Sequence, residues 1–240
     1  MSNKPCIMII GAPRSGTSLT SAVLSAHSNM SILDEDFHGA ALRLLGTKIP
    51  GNKLCTPNQI DFHRRWQKFY KLFRLNGYLR KRLGYQFPRS RLSLIDYAKE
   101  KHLKVLCVIR DPIRSVQAIS KRERVSERIS CNYIEKTFSI FDRVLSETYM
   151  DAAFISFDRL ISEPEQQCHK ICEWLNLPYE SAMLDGPILN QRYPSSGFDI
   201  TKSAQSKYPE SMAIAESSSL PHGRMERVIE RYNDFMNIAL

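Results

Sequence analysis

The stretch IMIIGAPRSGTSLTSAVL, residues 7–24, contains an apolar run, a glycine-containing loop and a helical pattern in direct succession. The run Ile7–Ile10 is typical of a buried strand, and it ends at Gly11. Apolar residues at helical spacing follow between Leu19 and Leu24. This order predicts an anion site, because the first N–H groups of a helix have no partners inside the helix.

The loop follows the spacing of a phosphate loop, G-x-x-x-x-G-K-[ST], from Gly11 to Ser18, but Thr17 replaces the lysine. We predict that the backbone N–H groups of Ser15–Ser18 bind an anion, and that Gly16 lets the anion approach the main chain. The missing lysine argues against ordinary ATP or GTP chemistry. Arg14 supplies the cation of the loop instead.

The segment A-P-R-S-G-T-S-L, residues 12–19, resembles the 5′-phosphosulfate loop of sulfotransferases that use 3′-phosphoadenosine 5′-phosphosulfate (PAPS). The resemblance implies a P-loop NTPase-like fold, a three-layer α/β/α arrangement around a central parallel sheet. It also implies PAPS as the co-substrate and a reaction without a metal ion. The alternative is a glycine- and serine-rich turn of another nucleotide-binding α/β protein.

Composition limits the function. The 240 residues suit one α/β domain, and the net charge of +9 predicts an anionic partner. Six cysteines lack the spacing of disulfide or zinc motifs, which favours reduced thiols and no metal site. We find neither a signal-peptide pattern nor a run of 18 apolar residues, so we expect a cytoplasmic, bacterial-type relative or a protein separated from its membrane anchor.

A second motif follows the apolar run Lys104–Ile109, which is typical of a strand buried on both faces. The triplet Arg110-Asp111-Pro112 and a helical pattern come next, resembling the 3′-phosphate element of sulfotransferases. The resemblance implies that Arg110 binds this phosphate through a bidentate contact. Relatives have a serine eight residues after the arginine, where this chain has Ala118. Ser115, one turn earlier on the helix, is the preferred replacement, and Ser120, rotated by about 200°, is the alternative.

An acidic cluster, Asp34-Glu35-Asp36, follows a short strand predicted for residues 31–33. It is either a charged loop or the source of a general base, since sulfuryl transfer to a hydroxyl requires removal of its proton. The resemblance implies that Glu35 is this base, and His38 is the second candidate.

Gly46–Ile60 is interpreted as a loop because it is rich in glycine, proline and asparagine. Its segment Gly51-Asn52-Lys53 resembles the G-x-K-x-P element of bacterial sulfotransferases, with one extra residue before the proline. The resemblance implies that Lys53 approaches the bridging oxygen of the donor.

Residues 62–95 contain ten Lys or Arg residues, no Asp or Glu, and interleaved aromatic residues. Trp66, Phe69, Tyr70 and Phe73 have the spacing of one helix face. We interpret the segment as a cap on the acceptor side of the site. Its charge suits an anionic acceptor, an acidic membrane surface or nucleic acid.

The third motif is a strand predicted for Ala152–Phe157, followed by F-D-R-L at residues 157–160 and W-L-N-L at residues 174–177. It resembles a junction of sulfotransferases at which a tyrosine lies near the adenine, and Phe157 would keep the ring stacking. Residues 185–219 are predicted to be a long mobile loop. Lys202, Lys207 and Arg224 are candidates to close the donor pocket.

The three motifs together imply PAPS-dependent sulfuryl transfer to a hydroxyl or amine. Arg14 and Lys53 would stabilise the charge on the leaving group, and Glu35 would take the acceptor proton. The acceptor stays open: a small molecule, a carbohydrate, a lipid headgroup or a peptide tyrosine, but not nucleic acid. Two rival functions are an atypical phosphotransferase and a non-catalytic basic module that binds RNA or acidic lipid.

Overall fold

The structure, a computed structural model, describes residues 5–44, 46–63, 90–190, 197–199 and 223–240. In this part of the chain, five strands form one sheet in the order β2-β3-β1-β4-β5, and every neighbouring pair is parallel. The strands are β1 (Cys6–Gly11), β2 (Met30–Asp34), β3 (Ile49–Cys55), β4 (Leu103–Ile109) and β5 (Met150–Ser156).

Helices connect successive strands, as a parallel sheet requires. They are α1 (Thr17–Ser25), α2 (Ala40–Arg43), α3 (Leu94–Glu100), α4 (Pro112–Glu123), α5 (Glu127–Ser146), α6 (Phe157–Ser162), α7 (Pro164–Leu175), a 3₁₀ helix (Ser181–Asp185), α8 (Gly186–Leu189) and α9 (Arg224–Asn237). Side chains of Ser93, Asp111, Ser126 and Ser156 cap four of these helices, which explains where those helices begin.

Two hydrophobic cores cover the two faces of the sheet. Side chains alternate along β1, so Ile7 and Ile9 pack with α1, α6 and α7, whereas Met8 and Ile10 face α3, α4, α5 and α9. The second core includes contacts among the rings of Phe138, Phe141, Phe154 and Phe235. Helices thus cover both faces of a parallel sheet, and the expected three-layer α/β/α arrangement is confirmed.

The interpretation of Gly46–Ile60 as a loop is wrong, because this segment contains β3, which pairs with both β1 and β2. Pro50, Gly51 and Asn52 are poor strand formers, so the local sequence concealed the strand. Gly51 is used for packing: a Cβ there would lie 2.5 Å from Ile32 Cδ1 and 2.9 Å from the Ile7 carbonyl oxygen. Tertiary contacts therefore override the local propensity.

The predicted cap and the predicted loop at residues 185–219 lie mostly outside the described residues. Residues 64–89 of the predicted cap, including the aromatic helix face, lie outside the described residues, as do Lys202 and Lys207. The loop predicted for residues 185–219 is helical at its start, through Leu189, and most of the remainder lies outside the described residues. None of the described helices combines the length and apolar character needed to cross a membrane.

Candidate functional site

The polar residues that the sequence motifs predict lie at one edge of the sheet, which we call the carboxyl edge. Because all five strands are parallel, their C-terminal residues, Gly11, Asp34, Cys55, Ile109 and Ser156, meet there. The segments that follow these strands carry Arg14, Glu35, Arg110 and Phe157. The fold therefore gathers residues that are far apart in the sequence.

The anion loop, residues 11–16, joins β1 to α1. Gly16 has φ 100° and precedes Thr17, the first residue of α1, without a side-chain cap. A Cβ at Gly16 would lie 2.1 Å from the ring of Phe157, so both the backbone conformation and the space require glycine. The N–H of Ser15 donates to the Ala12 carbonyl at 3.1 Å, so this amide does not join those predicted to bind an anion. The N–H groups of Gly16, Thr17 and Ser18, at the start of α1, stay predicted donors to the anion.

Two serine hydroxyls are buried at this edge, one in the anion loop and one in α4. Ser15 and Ser115 are each 2% exposed, and among the described residues neither Oγ has a hydrogen-bond partner. A buried hydroxyl left unsatisfied costs about 1–3 kcal/mol, so such groups mark places where a ligand can supply the bond. Ser120, the alternative to Ser115, donates its hydroxyl to the Val125 carbonyl at 2.7 Å. The geometry therefore favours Ser115 over Ser120.

Arg110 connects the anion loop to the second motif. Its Nη1 donates to the carbonyl of Arg14 at 2.9 Å, and its guanidinium lies 4.5 Å from the centroid of the Phe157 ring. Burial lowers the pKa of Arg110, opposed by the charge of Asp158, and the cations Arg114 and Arg14 lower it further. The arginine remains charged at neutral pH, because its ordinary pKa is so high. The guanidinium groups of Arg14, Arg110 and Arg114 therefore lie close enough to affect one another.

The sequence motifs did not identify Arg114 and Asp158 as residues of the site. Arg114 follows Arg110 by four residues in the first turn of α4, a spacing that the sequence could have revealed. Asp158 is buried at the start of α6, where it accepts the N–H of Asp111 at 3.3 Å and opposes the positive charge of Arg110. Its role depends on the proximity of β4 and β5, which local sequence does not encode.

Phe157 begins α6 rather than ending β5, because Ser156 caps that helix. Its ring is 5% exposed, with Gly16 against it and the Arg110 guanidinium above it. An adenine could stack on this ring only if Arg110 or the anion loop moved. The stacking of adenine on Phe157 stays a prediction, and in this structure the ring supports the loop and the guanidinium.

The other half of the carboxyl edge is an ion-paired triad, formed by Lys53, Asp34 and Glu35. The Lys53 side chain is 1% exposed, and its Nζ lies 2.8 Å from Asp34 Oδ1 and 3.0 Å from Glu35 Oε1. Burial lowers the pKa of Lys53, but the neighbouring Cys55, Asp34 and Glu35 outweigh this and raise the pKa above its ordinary value. Two carboxylates thus hold one buried ammonium group.

The triad and the anion loop lie side by side. Cys55, two residues after Lys53 on the same face of β3, has its Sγ 3.8 Å from Thr17 Oγ1. Burial raises the pKa of the Cys55 thiol, and the charge of Lys53 opposes this shift. The N–H of Thr56 donates to the Gly11 carbonyl at 2.9 Å, which joins the two segments through the backbone.

Backbone strain is concentrated at the same edge. Four described residues other than glycine have positive φ, and two of them, Arg124 and Asn176, are ordinary left-handed C-caps of helices. The other two are Arg14 (φ 69°) in the anion loop and Glu35 (φ 60°) in the triad. Strained conformations persist where the surrounding structure enforces them, and they are frequent at functional sites.

Comparison with solved structures identifies the fold. A sulfotransferase domain from the Synechococcus PCC 7002 olefin synthase aligns over 98% of this chain and 97% of its own, with a TM-score of 0.56 and 12% identity. A sulfotransferase domain from the curacin biosynthetic pathway aligns over 96% and 98%, with a TM-score of 0.54 and 14% identity. The fold is that of these sulfotransferase domains. It is P-loop-like, as the sequence predicted. No family model matches the sequence, and no curated protein does.

Within this sulfotransferase fold, the remaining candidates have other partners. His38 is exposed and lies three residues beyond the triad, and its backbone N–H donates to Asp36 Oδ1 at 3.0 Å. Arg224, a candidate to close the donor pocket, donates from Nε to Glu135 Oε1 at 2.8 Å and so joins α9 to α5. Among the described residues, no group of three or more His, Cys, Asp or Glu side chains is placed to hold a metal ion.

Proposed function

We propose that this protein is a sulfotransferase that moves a sulfuryl group from PAPS to a hydroxyl or amine, without a metal ion. The observation that carries the proposal is the hydrogen bond from Arg110 to the carbonyl of Arg14, which joins a lysine-free anion loop to the cation of the second motif. The fold shared with sulfotransferase domains supports the proposal. The assignment of PAPS as the donor rests on the three sequence motifs.

The donor half fits a ligand with two separate anionic groups. Thr17 and Ser18 can donate N–H groups at the start of α1, and Arg14 adds a cation beside them. Arg110 and Ser115 form the second anion site, where the Ser115 hydroxyl, which has no partner among the described residues, can bond a phosphate oxygen. PAPS, when bound, supplies the sulfuryl group and leaves as adenosine 3′,5′-bisphosphate.

The triad serves the acceptor half. Glu35 accepts the proton of the acceptor hydroxyl, and Lys53 holds the Glu35 carboxylate in place through the 3.0 Å ion pair. The sequence predicted that Lys53 approaches the bridging oxygen of the donor. In the structure two carboxylates take two of its three ammonium N–H groups and the side chain is 1% exposed, so only the third N–H can make such a contact. We therefore assign Lys53 first to the orientation of the base.

A binding comparison tests the donor. We expect adenosine 3′,5′-bisphosphate to raise the thermal unfolding midpoint, while ATP with Mg²⁺ and a single-stranded RNA leave it unchanged. Stabilisation by ATP alone would favour the atypical phosphotransferase. Binding of RNA or of acidic vesicles with steep salt dependence, and no response to the bisphosphate, would favour the non-catalytic module.

A transfer assay tests the reaction. Radiolabelled PAPS is incubated with panels of small alcohols, amines, carbohydrates, lipids and tyrosine peptides, including anionic members because the basic segment 62–95 suits them. We expect label to appear in at least one class and to be absent with the Glu35→Gln protein. Tight bisphosphate binding without transfer to any panel would contradict the assigned acceptor chemistry.

A further inference from the structure

Asn52, which the sequence motifs did not single out, lies next to Lys53 on β3. Because side chains alternate along a strand, Asn52 and Lys53 face opposite sides of the sheet. Lys53 joins the triad, whereas Asn52 lies under the loop that carries Glu35 and is 0% exposed. A fully buried amide needs partners for its oxygen and both N–H groups.

All of these needs are met by two residues. Asn52 Oδ1 accepts the backbone N–H of Asp36 at 3.1 Å, and Asn52 Nδ2 donates to the Asp36 carbonyl at 2.8 Å. Nδ2 also donates to the hydroxyl oxygen of Tyr97, on α3, at 3.2 Å. Burial raises the pKa of Tyr97 to about 12, so its hydroxyl stays protonated. We call this arrangement the Asn52 clamp.

The clamp determines where Glu35 lies. On one side of Glu35 the sheet ladder continues, since its own N–H donates to the Lys53 carbonyl at 3.0 Å. On the other side, the clamp holds both backbone groups of Asp36, and the Asp36 carboxylate accepts the N–H of His38 at 3.0 Å. Glu35 is therefore fixed at φ 60° between two held segments, a conformation that a non-glycine residue adopts only when neighbours enforce it.

We infer that Asn52 is a positioning residue for Glu35: its amide clamps Asp36 so that the Glu35 carboxylate meets Lys53 and the acceptor proton. The inference rests on the proposed function for the proton, but the clamp itself is a property of the fold. A base displaced by about 1 Å loses on the order of 100-fold in rate. Asn52 touches neither substrate, and its effect passes through Glu35.

Steady-state kinetics of Asn52→Ala, alone and combined with Glu35→Gln, test the inference. We expect Asn52→Ala to lower kcat about 10- to 100-fold, with the Kd for adenosine 3′,5′-bisphosphate changed less than about threefold. In the Glu35→Gln protein the same substitution should have almost no further effect, because no base remains to be positioned. Equal losses in both backgrounds, or a wild-type kcat in the single variant, would overturn the inference.

Asn52→Asp adds a readout that a merely structural role would not give. At high pH its carboxylate can accept from the Asp36 N–H but repels the Asp36 carbonyl, whereas its protonated form can donate to that carbonyl. Burial favours the protonated form. The ratio of variant to wild-type kcat should therefore rise as the pH is lowered from about 8 to about 5.5. A ratio independent of pH would contradict the clamp.

Hydrogen exchange of residues 34–41 separates this inference from the proposed function. We expect faster exchange of the Asp36 amide in Asn52→Ala, and a smaller increase in Tyr97→Phe, which keeps both bonds to Asp36. Unchanged exchange in Asn52→Ala would refute the clamp even if the enzyme transfers sulfuryl groups. Faster exchange in a protein without transfer activity would leave the clamp standing and reject the proposed function.

Discussion

Cations and hydroxyls occupy the half of the carboxyl edge at β1 and β4, whereas carboxylates surround one ammonium group at β2 and β3. In the first half, Arg14, Arg110 and Arg114 come together beside two buried serine hydroxyls that lack partners among the described residues. In the second half, the charges of Lys53, Asp34 and Glu35 are already paired within the protein. In the proposed function, the first half binds the anionic groups of the donor and the second accepts the proton of the acceptor.

This difference separates binding from turnover. Substitutions in the arginine half should change the affinity for the donor, because its guanidinium groups can form charge-assisted hydrogen bonds to the anionic groups of the donor. Substitutions in the triad should change kcat, because its groups are satisfied without a ligand.

Glu35→Gln should have the largest effect. We expect kcat to fall about 100- to 10,000-fold, since the amide cannot accept the acceptor proton, while the Kd for the bisphosphate changes less than about threefold. Asp34→Asn is the matched control, because Asp34 also pairs with Lys53 but is 37% exposed, and its kcat should fall less than about tenfold. A larger loss in Asp34→Asn would exchange the roles of the two carboxylates.

Lys53→Met should lower kcat about 100-fold, because the two carboxylates then repel each other and Glu35 loses its support. We also expect the free energy of unfolding to fall by about 1–3 kcal/mol. Lys104→Met is the control for general destabilisation: Lys104 is also buried, and it pairs with Asp151 at the opposite edge of the sheet. Its kcat should stay within about twofold of wild type, and a loss equal to that of Lys53→Met would remove Lys53 from the mechanism.

Arg110→Ala tests the binding half. Calorimetry should show the Kd for adenosine 3′,5′-bisphosphate raised about 10- to 150-fold, equivalent to a charge-assisted bond of about 1.5–3 kcal/mol. Adenosine 5′-phosphate, which lacks the 3′-phosphate, should lose less than about fivefold. Equal losses for both ligands would show that Arg110 supports the anion loop rather than the 3′-phosphate.

Ser115→Ala and Ser120→Ala form a pair with opposite expected results. The first should raise the Kd for the bisphosphate about three- to tenfold at unchanged stability, because its Oγ has no partner among the described residues. The second should leave binding unchanged and cost about 1 kcal/mol of stability through the lost bond to Val125. The reverse result would assign the phosphate to Ser120.

Asp151→Asn should have the smallest effect, on stability alone. Burial would raise the pKa of Asp151, but hydrogen bonds from Lys104 and Trp174 outweigh it and lower the pKa. A lowered carboxyl pKa gives stability above the ordinary value near 4, and this stability is lost as the pH falls through the folded pKa. Urea unfolding should show a deficit of about 0.5–1 kcal/mol at neutral pH that shrinks below about pH 4. A constant deficit would show that the charge of Asp151 is not involved.

The sequence revealed the arginine half better than the triad. The anion loop and Arg110-Asp111-Pro112 are contiguous motifs at the ends of apolar strands, so their positions followed from the parallel sheet. The triad depends on β3, which Pro50, Gly51 and Asn52 concealed. The carboxylates of Asp34 and Glu35 lie beside Lys53 because the register between β2 and β3 pairs Asp34 with Lys53. The local residue pattern does not predict which distant strands pair, or in which register.

The packing around Phe157 could not be predicted from the local sequence either. The sequence predicted Phe157 as the last residue of a strand, whereas it begins α6, and its burial under the Arg110 guanidinium follows from the arrangement of β1, β4 and β5. The same contacts explain why Gly16 cannot carry a side chain, although the sequence assigned that glycine to the anion alone. Motifs predicted which residues meet at the edge, whereas packing decides which of them remain accessible.

The hydrogen bond between Arg110 and the Arg14 carbonyl connects the two anion subsites of the proposed function. A phosphate that draws the guanidinium toward itself also pulls on the backbone of the loop that would hold the other end of the nucleotide. Binding at one subsite would therefore change the affinity of the other. We therefore expect the contributions of the 3′- and 5′-phosphates to the binding free energy to be non-additive, as a comparison of adenosine 3′,5′-bisphosphate with the two monophosphates and adenosine would measure.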